Sequence, residues 1–81
     1  MHVKVRLFAR LRELAGAGEL AREVAPGATV ADVWRLLLDE FPGMVPYAGI
    51  VSVAVNAEYA RMNAPVSDGD EVAFLPPVSG G

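Results

Sequence analysis

The chain has 81 residues, 53% apolar and 21% charged, with a net charge of -3. That size and composition give one small globular domain with one core, since so short a chain buries only roughly 60% of its unfolded surface. Cysteine is absent and His2 is the single histidine, which excludes disulfides, thiolate metal sites, a cysteine nucleophile and any histidine-based acid/base set. The acidic balance argues against nucleic acid as a partner. No apolar run approaches the roughly 18 residues that span a bilayer and no basic-then-apolar leader opens the chain, so a cytoplasmic protein without membrane contact is expected.

The opening segment alternates, with Val3, Val5 and Leu7 on one side and Lys4 and Arg6 on the other, which predicts a half-buried strand. Phe8 falls on the parity of the charges, so its ring is expected on the solvent side. Ala9 to Ala15 has helical spacing through Leu11 and Leu14 and stops at Gly16-Ala17-Gly18. Glu19 to Ala25 alternates again and predicts a second strand, antiparallel to the first. Lys4, Arg6, Arg10 and Arg12 all precede the first acid, Glu13, and read as the solvated face of the first strand and its exit turn.

After the Pro26-Gly27 turn comes the one long helix. Thr29 is a good N-cap with Asp32 three residues on, and Val30, Val33, Trp34, Leu37 and Phe41 make its apolar stripe. Pro42-Gly43 ends it. Met44 to Gly49 is irregular by this reading, and Ile50 to Asn56 is a β-branched strand leading through Asn56-Ala57-Glu58 to a hairpin partner at Tyr59. Ser67-Asp68-Gly69-Asp70 is a turn, and Glu71 to Leu75 is the last strand, with Val72 and Phe74 inward and Leu75 outward.

Two hairpins flanking one helix, with apolar first and last strands as central neighbours, predict an α+β fold of the β-grasp type, a mixed sheet of about five strands packed on one main helix. A ferredoxin-like sandwich needs a second full helix, which the pattern lacks. The domain is expected over residues 1–75, followed by an extended tail over 76–81.

Familiar chemistry is missing. Gly16-Ala17-Gly18 starts like a dinucleotide loop, but position 21 is alanine and a strand follows where a helix is needed. Asp68-Gly69-Asp70 lacks the remaining ligands of a calcium loop. No phosphate-binding loop, metal spacing or nucleophile elbow appears, so the domain alone does not read as an enzyme. The distinctive feature is Pro76-Pro77-Val78-Ser79-Gly80-Gly81. Two prolines stop the sheet and favour an extended backbone rising about 3.1 Å per residue, a reach of roughly 19 Å over six residues. Glycines without side chains let such a backbone enter a narrow channel and bring a terminal carboxylate to a bound nucleotide.

Taken over its whole length, the sequence resembles the sulfur carrier subunits of molybdopterin synthases, a ubiquitin-like family. The resemblance rests on Leu7-Phe8-Ala9-Arg10-Leu11-Arg12-Glu13-Leu14-Ala15-Gly16, on Val53-Ala54-Val55-Asn56, and on the block from Asp68-Gly69-Asp70-Glu71-Val72-Ala73-Phe74-Leu75 through Pro76-Pro77-Val78-Ser79-Gly80-Gly81. It implies that a ubiquitin-activating-type adenylyltransferase, using ATP and Mg, adenylates the Gly81 carboxylate. A persulfide from a sulfur donor enzyme then displaces AMP to leave a thiocarboxylate. The large synthase subunit, in an expected assembly of two small and two large subunits, takes the tail into its active site, where the sulfur passes to cyclic pyranopterin monophosphate. The carrier itself is expected to bind no cofactor. By the same resemblance Phe8, Tyr59 and Leu75 form an apolar patch that contacts both enzymes, and Pro76, Pro77, Val78, Ser79 and Gly80 make the inserted segment. Other readings stay open: a sulfur carrier for thiamine or tRNA thiolation, a ubiquitin-like protein modifier, or a binding module without terminal chemistry.

Overall fold

A computed structural model of the chain describes residues 1–77. Strand β1 (His2–Leu7) buries Val3, Val5 and Leu7 and exposes the residues between them, as its alternation requires. Helix α1 (Ala9–Ala15) is two turns long and buries Leu11. It stops at Gly16, which adopts a left-handed φ of 75° and donates its backbone N–H to the Arg12 carbonyl at 2.9 Å. The chain then returns as β2 (Glu19–Glu23), antiparallel to β1 with Lys4 opposite Ala21.

Helix α2 (Val30–Glu40) starts with a complete capping box, the Thr29 backbone N–H donating to Asp32 Oδ2 at 2.9 Å. That bond first, and the Thr29 hydroxyl second, hold the Asp32 carboxyl below the ordinary carboxylate range. Val30, Val33, Trp34 and Leu37 point onto the sheet, and the Trp34 ring stacks on Phe74 with centroids 4.9 Å apart. The remaining strands are β3 (Ser52–Val55), β4 (Glu58–Ala60) and β5 (Glu71–Leu75). The sheet order is β2-β1-β5-β3-β4, with β1 and β5 parallel (Val5 opposite Val72) and every other pair antiparallel. A five-stranded mixed sheet wrapped around one helix, with the first and last strands at its centre, is the β-grasp arrangement that the sequence predicts.

Two segments differ from expectation. Residues read as irregular contain a 3-10 helix, Pro42–Tyr47, with Pro42 in its first turn, and Met44 within it is fully buried. The predicted strand from Ile50 begins only at Ser52, because the N–H groups of Ile50 and Val51 both donate to the Tyr47 carbonyl at 3.1 Å. Those bonds hold Ile50 in a turn, 55% exposed, where a β-branched run alone predicts a strand.

The β3–β4 hairpin turns on Asn56 and Ala57, both with positive φ (50° and 70°). Its loop of two residues between Val55 and Glu58 favours glycine at the second position, since an alanine there carries a left-handed cost of about 1–2 kcal/mol. Ala57→Gly is therefore expected to raise stability by about 0.5–1 kcal/mol, after the greater freedom of glycine in the unfolded chain is counted. A higher urea midpoint with unchanged slope is the check.

A polar latch ties this hairpin to the centre of the sheet. Asn56 Nδ2 donates to Asp70 Oδ1 at 3.0 Å, the Glu71 N–H donates to Asn56 Oδ1 at 3.0 Å, and the Ser67 N–H donates to Asp70 Oδ2 at 2.8 Å. The bond from Asn56, then that from Ser67, lowers the Asp70 carboxyl below its ordinary 3.8. A depressed carboxyl gives stability that is fully present above 3.8 and lost as pH falls through the folded value. Asp70→Ala should thus cost about 1 kcal/mol at neutral pH, and the gap from wild type should close on acidification below that value. Urea unfolding at pH 6 and near pH 2.5 tests this, and a gap that does not narrow at the lower pH would rule the latch out as its source.

Candidate functional site

The outer face of the sheet, opposite α2, converges on the point where the chain leaves β5. Phe8 sits between β1 and α1 in an extended conformation (φ -126°, ψ 154°), so it continues the outward parity of Lys4 and Arg6 one step past the strand. Its ring is half-buried with the Arg6 guanidinium 5.4 Å above it, and Arg6 also lies 3.6 Å from the Glu71 carboxylate. The pairing of Leu7 with Phe74 carries Phe8 to the level of Leu75, which is itself half-buried and pairs with Ser52 on β3.

Between them opens a groove of about 580 Å³, walled by Phe8, Ala9, Arg10, Tyr47, Leu75, Pro76 and Pro77. Its walls are mostly apolar and its one charged member is Arg10, whose nearest carboxylate, Glu13, is 3.5 Å away on the exposed face of α1. Four of the residues singled out from the sequence, Phe8, Leu75, Pro76 and Pro77, therefore share one groove.

Tyr59 does not join them. It is 85% exposed on the edge strand β4 and lines a separate groove of about 390 Å³ with Arg61 and Met62. The strand register nevertheless places it on the same face, in a row running Tyr59, Ala54, Ala73, Arg6. The two alanines in that row leave a low floor between Tyr59 on one side and Phe8 with Leu75 on the other. Val78, Ser79, Gly80 and Gly81 lie outside the described residues.

Sequence reasoning missed three wall residues, Ala9, Arg10 and Tyr47. Tyr47 arrives from the 3-10 helix that reads as irregular, and Arg10 reads as one more solvated cation on α1. The helical spacing of Pro42-Gly43-Met44-Val45-Pro46-Tyr47 is masked by its two prolines and glycine, so no periodic signal pointed there.

The sheet order and the segment leaving its central strand define a ubiquitin-like β-grasp protein. Within that class, the ThiS family model matches residues 5–81, and the chain belongs to the ThiS family. It is 38% identical over 81 residues to the molybdopterin synthase sulfur carrier subunit of Arabidopsis thaliana, covering 100% of this chain and 84% of that protein. The crystal structure of SAMP1, small archaeal modifier protein 1, from Haloferax volcanii superposes with a TM-score of 0.86 at 31% identity, with 100% of each chain covered. A Helicobacter pylori chain, from the protein–protein complex of subunits 1 and 2 of molybdopterin-converting factor, superposes with a TM-score of 0.69 at 29% identity, again over 100% of both chains. No helix among the described residues is long and apolar enough to cross a membrane.

Proposed function

We propose that this chain is the sulfur carrier subunit of a molybdopterin synthase, with the Gly81 carboxylate as its reactive group. The supporting observation is the pairing of a full-length likeness to such a subunit with an apolar groove at the root of the tail. A carboxylate is a poor electrophile. Attack by its oxygen on the α-phosphorus of ATP, with Mg at the activating enzyme, releases pyrophosphate and gives an acyl adenylate with AMP as leaving group. The terminal sulfur of a donor persulfide then attacks the carbonyl and AMP departs. Thiol reduction of the resulting acyl disulfide leaves the thiocarboxylate, which supplies sulfur to cyclic pyranopterin monophosphate in the large subunit. A chain without cysteine presents no thiol of its own to capture the activated carbonyl.

In this reading Phe8 and Leu75 dock the domain on the activating enzyme and on the large subunit, Tyr59 extends the contact across the alanine floor, and residues 76–80 thread Gly81 into each active site. The likeness to a chain from a complex of subunits 1 and 2 of molybdopterin-converting factor supports a large-subunit partner, in the assembly of two small and two large subunits that the family resemblance implies. The chain supplies the acyl group and binds no cofactor itself.

The test is intact and fragment mass spectrometry of the protein from its own cells. The expected result is one oxygen of the Gly81 carboxylate replaced by sulfur. That change has nearly the mass of an added oxygen, and Met1, Met44 and Met62 can oxidise, so fragment ions must place it at the last residue. An unmodified carboxylate in cells making the cofactor, together with no adenylation in vitro, overturns the proposal. The likeness to small archaeal modifier protein 1 favours a second reading, a protein modifier, whose signature is Gly81 in isopeptide linkage to lysines of other proteins.

A further inference from the structure

No charged residue stands between Glu40 and Glu58. The most exposed part of that stretch is the turn over residues 42–50, which includes the 3-10 helix. Val45 and Ile50, each 55% exposed, stand in solvent on this turn. Single exposed apolar residues are ordinary on a protein surface. Here they share the turn with exposed Pro46, Ala48 and Gly49, and the segment is held firmly from below. Met44 is fully buried, and a Cβ added to Gly43 would lie 3.0 Å from Leu14 Cδ2, so the turn is seated closely on α1. The Ala48 N–H donates to the Val45 carbonyl at 3.0 Å, and those of Ile50 and Val51 donate to the Tyr47 carbonyl. A surface ordered before binding loses little conformational entropy when a partner covers it.

Through Tyr47, itself a wall of the groove, this turn adjoins Phe8 and Leu75. We propose that residues 42–50 form a second docking contact, continuous with that groove, for an apolar and uncharged surface of the large synthase subunit. The inference rests on the reading of the chain as the carrier subunit of such a synthase. Each partner in a stable complex gives about 20–30 residues to the interface, and seven wall the groove. The contact must therefore spread, and the surfaces around the groove differ in charge. On α1 the exposed residues include Arg12 and Glu13, and the outer face of the sheet carries Lys4, Arg6 and Glu71, whereas the turn carries none. Interface cores are depleted of charge, and lasting complexes are more apolar than transient ones. The turn thus suits the large subunit, with which the carrier makes one enzyme, rather than the activating enzyme, which must release it.

The test is titration calorimetry of the full chain with the large subunit, for wild type, Val45→Glu and Ile50→Glu. Each variant is expected to raise Kd about tenfold or more, because a carboxylate pressed against an apolar surface is left unpaired. Ala25→Glu adds the same charge in an exposed loop, beyond the end of β2 that pairs with His2, and is expected to leave Kd unchanged. Urea midpoints of the free variants should match wild type, since both side chains are more than half exposed. Should a glutamate variant unfold, alanine at the same position takes its place and is expected to raise Kd about threefold or more. Variants at positions 45 and 50 that bind as wild type overturn the second contact and leave the carrier reading intact. Wild type that does not bind the large subunit overturns that reading, and this proposal with it. A free chain that sediments as a dimer, and as a monomer once Val45→Glu is present, gives the turn to a second copy and likewise overturns the proposal.

Discussion

Phe74→Ala is expected to abolish most of the stability of the domain. The side chain is fully buried on β5, the strand held between β1 and β3, and it carries the stack with Trp34 that joins sheet to helix. Truncating a buried phenylalanine costs about 3–5 kcal/mol, because the cavity adds to the lost transfer free energy. A domain of this size has only about 4–12 kcal/mol in total. Urea unfolding should show either a collapsed midpoint or no cooperative transition, while Phe74→Leu, which keeps part of the apolar volume, should lose clearly less than Phe74→Ala. A loss below about 1 kcal/mol for Phe74→Ala means that the core closes over the gap, contrary to the close packing described here.

Phe8→Ala has the opposite profile. Its ring is half-buried in a groove wall and lies under Arg6, outside the cluster formed by Val5, Leu7, Val72 and Phe74. On the proposed function, affinity for the large synthase subunit is expected to fall about 10–100-fold, the range for an aromatic anchor at an interface, while stability drops by no more than about 1 kcal/mol. Leu75→Ala should behave alike, from the facing wall of the same groove. Titration calorimetry with the large subunit and urea unfolding of the free chain separate the two quantities. Several kcal/mol of lost stability in either variant would show the side chain to be core and remove it from the docking surface.

Most of the fold is legible in the sequence because its signals are local and strong. The alternation in β1 and β5, the capping box at Thr29 and the stripe from Val30 to Leu37 each mark an element without help from tertiary structure. Parity alone also places Phe8 and Leu75 on the outward face, where the structure has them. What parity cannot supply is lateral distance. Tyr59 shares that face but sits two strands from β5, across Ala54 and Ala73, so it lines another groove. The 3-10 helix is hidden for a different reason. Its conformation is set by Pro42 and by the burial of Met44 against the rest of the core, a tertiary effect with no periodic trace, and Tyr47 is hidden with it.

The parallel pairing of β1 with β5 joins the first strand to one made some seventy residues later. During synthesis the nascent chain can form the first hairpin early, but the middle of the sheet stays vacant until residues 71–75 leave the ribosome. Val5 and Leu7 have no neighbour on that side before then. Folding must therefore await translation of the final strand, and pairings so distant in sequence are slow to form. The Pro-Pro segment emerges directly behind that strand, so the groove, which takes a wall from each, cannot exist on an incomplete nascent chain. On the proposed function, an enzyme that needs both groove and tail therefore cannot act on truncated products.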